Sequence, residues 1–463
     1  MRHSYAIVGL GHRADTFLHA LLGAHVADGR LVGLCDANPG RLARAVAVAA
    51  DAGVQVPIYS ADDFDRMLRE TSPERVIVTV PDHAHCFYIV RALQLGADVI
   101  TEKPLTVDAE SCRRIVAARQ ASGRSVTVAF NYRYSPARSL LKQVLKSGIV
   151  GHVTAVNFEW QLDTHHGADY FRRWHRNKAN SGGLFVHKAT HHFDLLNWWL
   201  GSVPRLVAAR GRRVFYRPET AEAFGLGDRG ERCSACPAFA PCRVKLDVAA
   251  SNHLRALYAD NERHDGYFRD RCVFSPTIDI EDTLHASIEY ENGVIANYLL
   301  TAYSPNEGYR VVFHGTRGRA ALETVERGYV RSDGELVRPP MPEHSRITVQ
   351  PQFSQAYELA MPNTAGLHGG GDRVMLEHLF RGASDAHGLA ADERAGAWSA
   401  LVGIAANASL ALGTPVSLAD LAAGIPQPDM ALEPYGPAMP WQTFDPARYP
   451  FLAGATIAEG SRL

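Results

Sequence analysis

The chain is short of the features that assign a protein to a class at a glance. No run approaches the roughly 20 apolar residues needed to span a bilayer, so no membrane-embedded protein is expected. Met1-Arg2-His3-Ser4 leads straight into a strand pattern, without the apolar stretch and small-residue cleavage site of a secretory signal, so a cytoplasmic location is expected. Neither sign of charge dominates: 48 Lys and Arg face 49 Asp and Glu, a formal net charge of −1. No global field therefore recruits nucleic acid or an anionic membrane surface. Internal repeats and low-complexity tracts are absent. Seven cysteines, an odd number, do not make a disulfide framework. What is left is an ordinary globular composition in 463 residues, too many for one core, so two domains are expected.

What is present, first, is a grammar. Residues 1–130 alternate strand and helix patterns with short connections, the mark of an α/β doubly wound parallel sheet. Strands are expected at 6–8, 31–35, 75–80, 97–100 and 125–129, the all-apolar ones suiting a sheet buried on both faces. After Asn131-Tyr132-Arg133-Tyr134-Ser135-Pro136 the period changes. Alternating runs at 153–160, 206–215, 284–291, 294–301 and 310–314 predict an α+β domain, 131–425, with a large, mostly antiparallel open sheet. Glu291-Asn292-Gly293 reads as a hairpin turn. A polar insertion, about 217–276, interrupts the domain. Helices at 372–380 and 393–412 cover a sheet face or return to the first domain. Residues 426–463 read as an extended arm.

The first strand runs into Gly9-Leu10-Gly11-His12-Arg13-Ala14. Gly9 permits the tight turn, Gly11 admits a pyrophosphate close to the backbone, and Ala14 in the third glycine's place still allows close helix–strand packing. The following helix N-terminus offers unpaired N–H groups to phosphates. Asp36 ends the second strand, where a carboxylate binds adenosine ribose hydroxyls and repels a 2′-phosphate. The cofactor expected is NAD; nearby Arg41 leaves NADP open. His12, Arg13, Pro81, His85, Glu102, Lys103 and Asn131, at the loop and the strand ends, are the remaining candidate cofactor contacts.

Lys103, in Thr101-Glu102-Lys103-Pro104, follows a later parallel strand on the edge where ligands of such folds bind. Positive charge on a nicotinamide and partial desolvation would bring its ammonium toward useful general acid–base values. The bland alternative is a solvated turn lysine paired with Glu102. A second cluster, Ser181-Gly182-Gly183 through His187-Lys188-Ala189-Thr190-His191-His192-Phe193-Asp194, predicts one helix. Its i, i+4 and i+7 positions put His187, His191, Asp194 and Trp198 on one face. Imidazoles there suit proton transfer at a sugar hydroxyl. Metal binding by paired histidines, or plain helix packing, stay open. Before it, Tyr170, Trp174, His175, Arg176 and Lys178 form a basic, aromatic segment able to hold an acidic or pyranose group. His368 and Asp372, around three glycines, are further candidates, with Asp372 as a helix cap the simpler reading.

These ordered motifs resemble the glucose–fructose oxidoreductase/inositol dehydrogenase/MocA (Gfo/Idh/MocA) family over roughly residues 4–325. The resemblance implies a Rossmann domain, a sheet-based second domain, NAD(P) between them, and hydride transfer at sugar or cyclitol carbons. It also implies homodimers or homotetramers through the C-terminal sheet. By position Lys103 matches the family's Glu-Lys-Pro lysine and His191 its catalytic histidine, while His187 stands where the family commonly has aspartate. Lys103, His191 and His187 are therefore the candidate catalytic residues. Lys103, Tyr132, Arg133, Trp174, His175, Arg176, His187, Lys188, His191, His192, Asp194 and His368 are the candidate substrate contacts.

Cys233, Cys236 and Cys242 have the spacing C-x2-C-x5-C, with Cys272 a candidate fourth ligand. In a reducing compartment this reads as a structural zinc site, an iron–sulfur cluster or unligated thiols in a loop. Together the motifs predict an NAD-dependent oxidoreductase of a sugar, sugar acid or cyclitol. The alternatives are an NAD-dependent glycosidase working by transient oxidation, and a nucleotide-gated sugar-binding regulatory protein.

Overall fold

The computed structural model describes residues 2–331, 344–361, 367–382, 385 and 388–429. Most of the expected arm, 430–463, lies outside the described residues. The first domain carries β1 (His3–Val8), β2 (Gly29–Asp36), β3 (Ile58–Ser60), β4 (Arg75–Val78), β5 (Asp98–Thr101) and β6 (Val126–Val128). They form one parallel sheet in the order β6-β5-β4-β1-β2-β3. Val76, Ile77 and Val78 are fully buried because helices cover both faces of the sheet. The short β3 has exposed Ile58 and Ser60 around buried Tyr59, too brief an alternation to be read as a strand beforehand.

The second domain adds β7 (Val153–Asp163), β8 (Pro204–Arg212), β9 (Thr283–Tyr290), β10 (Ile295–Ser304), β11 (Asn306–Gly315), β12 (Gly318–Tyr329), β13 (His344–Pro351), β14 (Tyr357–Glu358), β15 (Ala391–Asp392) and β16 (Val416–Ser417). All but β15 build a nine-stranded sheet in the order β14-β13-β12-β11-β7-β10-β9-β8-β16. Its pairings are antiparallel except β7–β10, which run parallel. One face is packed; the other presents Glu159, Asn297 and other polar side chains of alternate positions.

The two late helices divide the two roles expected of them. Helix Gly371–Arg381 returns to the first domain, where Met375, Leu379 and Phe380 join Tyr5, Ile7 and Phe17 in one core cluster. Helix Glu393–Leu412 packs beneath the large sheet and is preceded by β15, which adds an antiparallel edge to β6. That helix corrects one expectation. Among the described residues it is the one helix long and apolar enough to cross a membrane, yet most of it is buried inside the fold.

Candidate active site

The glycine turn after β1 is dictated sterically. Gly9 has φ +85°, and a Cβ there would meet Val80 N at 2.6 Å. A Cβ on Gly11 would meet nothing within 4 Å, so the second glycine opens onto free space above the loop, which is where a pyrophosphate needs the backbone bare. Ala14 is buried against the sheet. At the end of β2, Asp36 Oδ2 accepts from Leu10 N at 2.5 Å, and Oδ1 accepts from Asn38 N at 2.7 Å and Arg41 Nε at 3.1 Å. A carboxylate has lone pairs left for ribose hydroxyls. These residues fit a dinucleotide.

The insertion packs directly on this loop. His12 N–H donates to Tyr258 Oη at 3.3 Å and the His12 ring meets His253 at 3.1 Å. Burial, with Arg173 and His253 adding to it, brings His12 down to about 4. Arg13 points away from the loop, to Glu102 Oε1 at 2.5 Å and Asp372 Oδ1 at 3.0 Å. Asp372 also accepts from Asn131 Nδ2 at 2.8 Å, and it stands inside the first turn of helix Gly371–Arg381, whose N-cap is Gly370. The capping expectation is thereby overturned: Arg13, Glu102, Asp372 and Asn131 are a lock between the domains. His85, fully buried, lies 2.9 Å from Val80 O and 2.8 Å from Pro104 O. It braces the turn carrying Lys103 rather than facing the cleft. Pro81 caps the short turn Asp82–Ala84.

Lys103 follows β5, across a cis bond to Pro104. Its Nζ lies 3.5 Å from His187 Nε2 and donates to His187 O at 3.1 Å. On the other side of the ring, His187 Nδ1 is 2.5 Å from Asp82 Oδ2. Asp82, in the turn after β4, was absent from the sequence-derived candidates. Its place at a parallel strand's C-terminal end was the available signal. Burial lowers Lys103 to about 8, with Lys188 and Arg13 assisting and Asp82 and Glu102 opposing. Burial likewise pushes His187 well down, helped by Lys103 and His175, and pushes Asp82 well up against the pull of Lys103. Burial thus disfavours the charged form on each side of the 2.5 Å contact.

The single helix expected around His187 is in fact two, Gly183–His187 and Thr190–Leu200. The break frees the His187 carbonyl for Lys103. His175 meets the His187 ring at 4.1 Å, and Trp174 stacks on His175 at 3.7 Å. Tyr170 closes the group, 5.6 Å from His187 and bonded to His166, which pairs with Glu307. His191 stacks on Tyr132 at 4.1 Å and lies near enough to lower His187 further.

Other candidate substrate contacts turn elsewhere. Arg133 and Asp194 are each about 1 % exposed and are joined by two bonds, from Arg133 Nη2 at 2.6 Å and Nε at 2.7 Å. His192 is inside the core, 2.6 Å from Tyr298 Oη and stacked on Trp160. Lys188 donates to Tyr132 Oη at 3.0 Å within buried aromatics. Arg176 reaches Thr277 Oγ1, toward the insertion. The His368 side chain lies outside the described residues.

Cys233, Cys236, Cys242 and Cys272 line one small pocket with Phe239, Val273 and Phe274, and all are free. Among the described residues, however, no group of three or more His, Cys, Asp or Glu is arranged to hold a metal ion. Gly230 N–H donates to Cys236 Sγ, and burial raises the Cys242 and Cys272 thiols. The expected zinc site finds no support.

Two family models match, one described as an oxidoreductase family's NAD-binding Rossmann fold over residues 3–130, the other as its C-terminal alpha/beta domain over residues 142–418. The chain is 36 % identical over 429 residues to the "Putative oxidoreductase YteT" of Bacillus subtilis (strain 168), covering 89 % of this chain and 97 % of that one. It is 32 % identical over 208 residues to Inositol 2-dehydrogenase 1 of Saccharopolyspora erythraea, covering 44 % and 57 %. A crystal structure of the WlbA dehydrogenase from Bordetella pertussis with NADH and UDP-GlcNAcA superposes with a TM-score of 0.59 at 18 % identity, covering 90 % of this chain and 99 % of that one. That last likeness concerns the fold.

Proposed function

The chain belongs to the Gfo/Idh/MocA oxidoreductase family with its NAD-binding Rossmann domain, and on that premise we propose that it is an NAD-dependent dehydrogenase acting on a hydroxyl carbon of a sugar, sugar acid or cyclitol. The observation that carries this reading is the line Asp82–His187–Lys103, which joins the ends of two parallel strands to the second domain. Gly9, Gly11 and Asp36 would hold the dinucleotide. When bound, NAD supplies the hydride acceptor at its nicotinamide ring.

The chain's own groups handle the proton. Lys103, as a free amine, takes the proton of the reacting hydroxyl while the carbon's hydride leaves. The ammonium so formed is stabilised by the His187 carbonyl, by Glu102 and by Asp82. His187, kept neutral by burial, passes the proton between Lys103 and Asp82. The carboxylate that the family commonly carries at position 187 is thus supplied by Asp82 from the opposite domain. Trp174, half-buried at the edge of this group, offers a flat apolar face to a sugar ring. The polar open face of the nine-stranded sheet is the surface we assign to a homodimer or homotetramer. Free thiols suit a reducing cytoplasm.

Incubation with NAD+ and a panel of free sugars, sugar acids and cyclitols tests the reading: NADH should accumulate in step with oxidised product. One observation favours a second reading, an NAD-dependent glycosidase. The insertion covers the glycine loop through Tyr258 and His253, as a cofactor retained between turnovers would require. Turnover of a glycoside with no net NADH would select it.

A further inference from the structure

At the adenosine end of the nucleotide cleft two residues pull in opposite directions. Asp36 repels a 2′-phosphate, whereas Arg41, in the first turn of helix Pro39–Asp51, attracts one. We propose that Asp265, carried on the insertion, neutralises Arg41 and thereby commits the site to NAD over NADP. The inference rests on the nucleotide reading above.

Arg41 Nη2 lies 2.8 Å from Asp265 Oδ2 and 3.1 Å from Asp36 Oδ1. Its Nε donates to the same Asp36 oxygen at 3.1 Å. One cation is therefore shared by two carboxylates, and the cluster keeps a net negative charge where a 2′-phosphate would arrive. Asp265 is fixed for this task. Asn38 Nδ2 donates to its Oδ2 at 2.9 Å and to Asn261 O at 3.1 Å, while Tyr267 N donates to its Oδ1 at 3.1 Å. The nearest cation along the insertion, Arg263, is turned to His264 at 3.2 Å. The seat is close: a Cβ on Gly40 would fall 1.7 Å from Asn261 Oδ1, so a larger residue there would have to displace the Asn261 amide. Asn38 meanwhile caps the helix, accepting from Gly40 N and Arg41 N, so the same residue that starts the helix holds Asp265. The Rossmann sequence alone, with Asp36 and Arg41 both present, leaves the choice open. Asp265, more than 220 positions away, decides it.

The test is a pair of dissociation constants, for NAD+ and NADP+, measured on the full chain by calorimetry. In Asp265→Asn the shape stays and the charge goes, and the preference for NAD+ over NADP+ should fall about 10-fold, the order expected for one charge at a partly exposed anion site. Adding Arg41→Ala should restore the wild-type preference, because the freed cation is what NADP+ gains. A preference within twofold of wild type in Asp265→Asn, or a lowered preference that the added Arg41→Ala fails to restore, overturns the proposal. Asp265→Ser serves if the asparagine variant does not fold. A wild-type chain that binds neither nucleotide would overturn the nucleotide reading itself, an outcome distinct from an unmoved ratio.

Discussion

Two charge clusters each draw one member from the same stretch of chain, His187 and Asp194, and do opposite things. Arg133 and Asp194 satisfy each other through two short, parallel bonds, and Arg133 also reaches the carbonyls of Gly388 and Ala390, tying in the segment before β15. His187 and Asp82 are buried as well and Lys103 is half-buried, but their charges do not close. The ammonium is held by a ring nitrogen at 3.5 Å and a carbonyl, and the carboxyl by an imidazole. Both clusters bear the cost of desolvation, which raises even Asp194 despite Arg133. A closed pair holds segments of one domain together. An open chain of proton carriers with displaced proton affinities is poised to react.

That contrast breaks first at its open end. Lys103→Ala should lower kcat about 10³-fold with the melting temperature unchanged or raised, since a half-compensated buried charge is removed. A rate within threefold of wild type would remove the proton relay from the mechanism. The closed end should respond in the opposite currency. Arg133→Ala leaves Asp194 buried and unpaired, and denaturant unfolding should report a loss of about 3–5 kcal/mol. Activity per folded molecule should hold. A loss of turnover without a loss of stability would return Arg133 to the substrate contacts. Asp82→Asn should fall between them, with kcat down about 30-fold and KM little changed, because the amide cannot take the relayed proton. A KM effect alone would make Asp82 a binding residue.

The same contrast explains what could be read beforehand. The Rossmann half was legible because each of its rules is local: an apolar strand, then glycines, then a helix, then an acid. Its longer strands fell within a few residues of expectation; only β3, with one buried residue, escaped. Lys103 and His187 were legible because a motif marked each. Asp82 was not, since nothing in Pro81-Asp82-His83 announces that a histidine from the other domain will stop 2.5 Å away. Arg133 and Asp194 looked like site residues for the converse reason: polar residues beside a motif resemble ligands until their partners are known. The one-helix stripe through His187, His191 and Asp194 assumed an unbroken period, and the break after His187 separates it from Asp194. The cysteine spacing suggested coordination, but spacing along a loop does not fix where sulfurs point.

The finest distinction is in pH. Lys103, lowered to about 8 mainly by burial, must be an uncharged amine to take the hydroxyl proton. Alcohol oxidation should therefore rise about 10-fold per pH unit well below 8 and level off above it. Carbonyl reduction needs the ammonium, so it should be flat below 8 and fall above. Lys188 is among the cations that depress Lys103. Lys188→Met removes that repulsion, so the inflection should move to higher pH in both directions of reaction, by a few tenths of a unit to one unit on the order of a single partly screened charge. Arg133→Ala should leave it in place, because Arg133 is spoken for by Asp194. An inflection that follows Arg133 and ignores Lys188 would mean that the cluster read as closed is the one in contact with the proton.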